Sequence, residues 1–108
     1  MKAANVRDTK EWFQVLQTSE KSQTAVMTLE PGGASGSKPN EHKSSEQVLL
    51  VLEGEVEAEM GAERRHLETG DVVLIPAGVK HRFSNRGERN AITFNVYSPP
   101  EYPPGTQG

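Results

Sequence analysis

The sequence predicts an all-β fold, a sandwich or a closed barrel, and three observations predict it. Apolar residues recur at strand spacing in seven or eight short stretches. Glycine-marked turns separate these stretches about every eight to twelve residues, the rhythm of sandwiches and barrels. No stretch carries a sustained helical period.

Each element can be justified in order. Glu11 to Gln17, with Trp12, Phe13, Val15 and Leu16, fits a strand or a helical turn. The turn-like Ser19-Glu20-Lys21-Ser22 and the β-rich Thr24 to Leu29 favour two strands joined by a turn. Gly32 to Asn40, rich in Gly, Ser and Pro, is a loop that other chain segments can approach closely. Gln47 to Glu53 is the most apolar strand, with Gln47, Leu49 and Val51 on one face and Val48, Leu50 and Leu52 on the other. One face should look into the interior and the other onto a second layer or a partner subunit. Gly54 turns the chain into Glu55 to Met60, where three glutamates alternate with Val56, Ala58 and Met60 as in a half-exposed hairpin strand. Gly61-Ala62 and Thr69-Gly70 bound the polar strand Glu63 to Glu68.

Val72 to Ile75 is a short buried strand stopped by Pro76-Ala77-Gly78. After that turn, alternation sends His81, Phe83 and Asn85 to one face and Lys80, Arg82 and Ser84 to the other. Asn90 to Tyr97 is the last strand, alternating Ile92, Phe94 and Val96 with Thr93, Asn95 and Tyr97. Residues 98–108 form a tail whose four prolines bar it from a sheet centre, so it is a surface tail or strap.

A chain of 108 residues is read as one domain, residues 1–108, with no repeats. Hydrophobic residues make up only 33%, so the core should be modest and aided by association with a second copy. The net charge of −3 and scattered Lys and Arg argue against nucleic acid. Without cysteine there are no disulfides, thiolate metal sites or cysteine nucleophiles. No apolar leader or membrane-length segment occurs, which makes the cytoplasm the expected compartment and a membrane partner unexpected.

Three histidines offer chemistry. His66 lies between Arg65 and Leu67 in a solvated hairpin and is read as structural. His42 and His81 are each read as starting a strand beside a glycine-marked turn, with the amides Asn40, Gln47 and Asn85 nearby. Two imidazoles with oxygen donors suit a first-row divalent metal. Glu46, the nearest carboxylate, should face solvent while Gln47 faces in. No Ser-His-Asp order or phosphate loop appears.

Gly70-x5-Pro76-x-Gly78-x2-His81-x3-Asn85 resembles the second motif of the cupin family without a departure. Counting back from Gly54, the family's first motif places Gln47 in its Glu slot, His42 at its second His, Asn40 at its first His and Ala34 at its Gly. A register starting at Gly36 puts apolar residues in ligand positions and is rejected. The resemblance covers about residues 22–100 and implies a single jelly-roll-like β-barrel in which Asn40, His42, Gln47 and His81 converge on a divalent transition metal (Zn, Ni, Mn or Fe). Asn85 is read as structural.

Two amides in place of His and Glu leave four neutral ligands, so affinity should be weak to moderate, and the bound ion should keep its Lewis acidity. Glutamine in the Glu slot is similar to small cupins acting on uronate-type sugars. The resemblance thus implies a homodimer with an oxygen-rich small-molecule ligand (sugar-, uronate- or keto-acid-like) and isomerase or lyase-type chemistry. The alternative is a non-catalytic, metal-free binding or sensing module.

Overall fold

Turn residues cut the chain into eight strands, in a computed structural model that describes residues 1–108. They are β1 Phe13–Thr18, β2 Gln23–Leu29, β3 Glu46–Glu53, β4 Glu55–Met60, β5 Glu63–Glu68, β6 Val72–Ile75, β7 His81–Ser84 and β8 Ala91–Ser98. The only helical turn is a 3-10 segment, Val6–Asp8, capped by the Asn5 side chain accepting from the Arg7 N–H. No helix is long and apolar enough to cross a membrane.

Two antiparallel sheets result, with strand orders β1-β2-β8-β3-β6 and β5-β4-β7. The first stretch with ambiguous periodicity is therefore a strand, fixed by its pairing with β2 from Phe13↔Met27 to Thr18↔Gln23. Inward residues of both sheets form one core cluster of 14, including Phe13, Met27, Leu49, Val51, Val56, Leu67, Ile75, Phe83 and Tyr97. Leu49 and Val51 are essentially inaccessible, and burial of each such side chain stabilises the fold by about 1.5–3 kcal/mol.

β8 reverses what hydrophobicity alone would choose. Thr93, Asn95 and Tyr97 are its buried inward set, whereas Ile92, Phe94 and Val96 face out and are half-buried. Register makes this unavoidable: Gln47, Leu49 and Val51 of β3 pair with Tyr97, Asn95 and Thr93, and opposite residues of an antiparallel pair share a face. The outer set of β3, Val48, Leu50 and Leu52, lies half-exposed beside them. β6, expected from its apolar run to be a buried strand, buries only Ile75, because it lies at the edge of its sheet, and the outer face continues through its Val72 and Leu74, 63% and 54% exposed.

Gly54 makes the β3–β4 turn at φ +76°, and a Cβ there would lie 2.6 Å from the Asn90 carbonyl oxygen. Both the backbone conformation and the close approach demand glycine. Gly61, at φ +61°, has open space around it. Gly54→Ala should therefore cost on the order of 3 kcal/mol, strain plus clash, and Gly61→Ala only about 1 kcal/mol of strain. Urea unfolding of the two variants checks this, and equal losses would show that the Asn90 contact does not constrain the turn.

Candidate functional site

The site is assembled by backbone pairing between the Gly/Ser/Pro loop and the start of β7. Asn40 and His81 exchange both backbone hydrogen bonds, at 3.0 and 2.8 Å, and the Gly78 N–H donates to the His42 carbonyl at 2.7 Å. His42 is consequently held in an extended loop four residues ahead of β3, rather than starting a strand as its sequence context suggested. The imidazoles of His42 and His81 lie 4.9 Å apart, centroid to centroid. Gln47, 3% exposed at the start of β3, completes the cluster, and Glu46 points to solvent.

A directional hydrogen-bond chain fixes the chemistry of these groups. The Thr93 hydroxyl donates to the Met27 carbonyl at 3.1 Å, so its oxygen is free to accept from Asn95 Nδ2 at 3.0 Å. Asn95 Oδ1 then accepts from Gln47 Nε2 at 2.9 Å. Gln47 Oε1 can only accept, and it faces His42 Nε2 at 3.2 Å, which places a proton on that nitrogen in the metal-free protein. On the other side of the ring, His42 Nδ1 lies 3.3 Å from Glu101 Oε2. His81 Nδ1 donates to the Val79 carbonyl at 2.9 Å, leaving Nε2 with the lone pair. Burial pushes the His81 pKa down, against the Val79 hydrogen bond that raises it, and nearby His42 pushes it down further.

Asn40 borders the same cavity, but it is exposed and its side-chain oxygen accepts from the Glu41 N–H at 2.8 Å. The structure thus brings three of the four sequence-derived ligands into contact and leaves the fourth turned to backbone. Asn85 is a tie: its Nδ2 donates to the Leu29 and Arg89 carbonyls and its Oδ1 accepts from the Gly87 N–H. His66 is exposed on β5, with Nδ1 2.6 Å from Glu57 and Nε2 3.2 Å from Glu55. These carboxylates, the Glu57 hydrogen bond foremost, raise its pKa. His66 also stands within reach of Glu55 and Glu68 in an exposed Glu-His-Glu group that could hold a metal ion.

Sequence reasoning missed the far wall of the cavity. The cavity, about 570 Å³, is lined by Trp12, Phe13, Met27, Tyr97 and Tyr102 in addition to the imidazoles, and by Lys38 at its rim. Tyr102 comes from the proline-rich tail, its ring 4.9 Å from Phe13, 5.3 Å from Tyr97 and 6.0 Å from His42. The tail returns to β1, where the Val15 N–H donates to Thr106 and the Gly108 N–H to Phe13, so it is a strap over the barrel mouth. Burial raises both tyrosine pKa values, that of Tyr97 strongly, so both phenols stay protonated at neutral pH. The available signal was parity: Tyr97 shares a face with Asn95 and Thr93, and an aromatic beside a carboxylate is conspicuous among four prolines.

Comparison with known proteins agrees with this architecture. The family model described as Cupin domain matches residues 25–97. An uncharacterised protein of Streptomyces coelicolor is 32% identical over 76 residues, covering 70% of this chain and 69% of that protein. The uncharacterised protein YrkC of Bacillus subtilis is 28% identical over 97 residues, and the match spans 84% of this chain and 51%, about half, of YrkC. A crystal structure from Bacillus halodurans superposes with a TM-score of 0.88 at 27% identity, over 94% of this chain and 80% of that one.

The two shifted imidazoles oppose each other in their effect on stability. Below its ordinary value of 6.5, unfolded His81 binds a proton that the folded form resists, so its contribution is lost as pH falls. His66 acts in reverse: its small contribution is present below 6.5 and lost as pH rises through the raised folded value. NMR titration of the imidazole Cε1–H resonances should place His81 below 6.5 and His66 above it, with Glu57→Gln bringing His66 back towards 6.5. A His81 midpoint at or above 6.5 would contradict the buried, neutral imidazole.

Proposed function

Because the chain belongs to the cupin family and its cavity gathers two imidazoles and an amide oxygen, we propose that it binds a divalent transition metal ion and, beside it, an oxygen-rich small molecule. His42 and His81 would hold the ion through Nε2 and Gln47 through Oε1. Asn40 would complete the set by turning its amide away from the Glu41 N–H.

One observation carries the reading. Each of the two histidines has Nδ1 beside an outer acceptor, Val79 O for His81 and the Glu101 carboxylate for His42, the arrangement that aims Nε2 at a metal. The 3.2 Å between His42 Nε2 and Gln47 Oε1 suits two neighbouring ligands on one ion at about 2.1 Å each. Every donor is neutral, so affinity is moderate and the metal's contribution when bound is Lewis acidity, polarising a carbonyl or carboxylate oxygen.

The protein's own groups fit the remaining tasks. The phenols of Tyr97 and Tyr102 donate to ligand hydroxyl or carboxylate oxygens, Lys38 pairs with an anionic end, and Trp12, Phe13 and Met27 cover the apolar face of a sugar-like ring. Such a cavity suits isomerisation or lyase chemistry on sugar-, uronate- or keto-acid-like compounds. A metal-free binding module is the second reading. It is favoured by the closed hydrogen-bond chain, in which a proton on His42 Nε2 satisfies Gln47 without any ion.

The outer face of the five-stranded sheet supports a homodimer, since Val72 and Leu74 stand exposed next to half-buried Leu50 and Phe94. Sedimentation of the native chain at micromolar concentration should give a dimer and Leu74→Lys should shift it towards monomer; a native monomer would refute this face as an interface. Metal-stripped protein titrated with ZnCl2 in a calorimeter should take up one ion per chain, and His42→Ala or His81→Ala should abolish that uptake. Absence of transition metal from freshly purified protein, together with no heat of zinc binding, would leave the metal-free reading.

A further inference from the structure

We propose that Glu101, on the C-terminal strap, is a positioning residue for the metal centre: it supplies from outside the ligand set the negative charge that the set itself lacks. This rests on the metal reading above.

Three observations meet at Glu101. Its Oε2 lies 3.3 Å from His42 Nδ1, with its side chain 26% and that of His42 14% exposed, so the pair is substantially shielded from water. Its backbone is not that of a loose tail, because Gln23, 1% exposed, clamps the strap with three hydrogen bonds. Gln23 Oε1 accepts from the Glu101 N–H at 3.1 Å and the Tyr102 N–H at 3.0 Å, and Gln23 Nε2 donates to the Tyr102 carbonyl at 2.7 Å. The neighbouring Tyr102 ring is wedged against Phe13, Tyr97 and His42. A buried amide spending both ends on two successive strap residues fixes where the carboxylate stands.

Charge accounting gives that position a purpose. A dication held at Nε2 leaves Nδ1, with its proton, in the Glu101 contact at 3.3 Å, so the carboxylate brings the local charge to +1 rather than +2. The carboxylate also makes the imidazole a stronger donor and holds its plane. Glu101 thereby takes over part of the task of an anionic ligand, and couples the strap that closes the cavity to the occupancy of the centre.

The test is zinc affinity at about pH 8, where protons compete little for imidazole, measured calorimetrically against a competing chelator. Glu101→Gln keeps shape and the strap bonds but removes the charge, and should weaken zinc binding by about 10- to 100-fold. In the zinc-loaded proteins the ¹⁵N shift of His42 Nδ1 should move between wild type and variant while that of His81 stays fixed, which a merely structural role would not produce. Unchanged affinity and an unmoved His42 shift would overturn the role of Glu101 while leaving the metal centre standing. A wild-type protein that takes up no zinc would overturn both.

Discussion

The interior of this barrel depends on one hydrogen-bond chain whose direction is set at its far end by a backbone carbonyl. The Met27 oxygen can only accept; Thr93, Asn95 and Gln47 must therefore each donate towards it, and each presents an acceptor to the next. What emerges at the cavity is an amide oxygen aimed at His42. Leaving any one of these buried groups without its partner would cost about 1–3 kcal/mol, so the polarity cannot drift.

That chain also explains the outside of the protein. A strand has only two faces, and β8 spends its inner one on Thr93, Asn95 and Tyr97, sending Ile92, Phe94 and Val96 outward. β3 adds Val48, Leu50 and Leu52 to the same outer surface through its antiparallel register with β8. Polar interior and apolar exterior are thus two consequences of one pairing, and a polar cavity in the barrel and an apolar outer sheet arise together.

The fold was legible because its punctuation is local. Gly54, Gly61, Gly70 and Gly78 all adopt positive φ where turns were expected, and alternation placed Gln47, His81 and Phe83 inward. The site was legible only in part. His42, Gln47 and His81 follow from motif spacing, but Asn40 lies on a loop whose side-chain direction no period dictates. Glu101 and Tyr102 reach the centre through Gln23, 78 and 79 residues away in sequence, and nothing local announces a contact of that range. Gln23 itself reads as an ordinary strand residue until the strap lies on it.

Glutamine at position 47 is a matched choice rather than a weakened glutamate. Asn95 Oδ1 faces residue 47 because Asn95 Nδ2 is committed to Thr93, and Thr93 is committed to Met27. A carboxylate at 47 would set oxygen against oxygen at a buried contact, and relieving it would require Asn95 to turn its oxygen onto the Thr93 carbonyl. On the proposed metal reading, an anionic donor there would break the chain that orients residue 47. The negative charge is therefore better accommodated outside the chain, on the other side of His42, which is where the strap places Glu101.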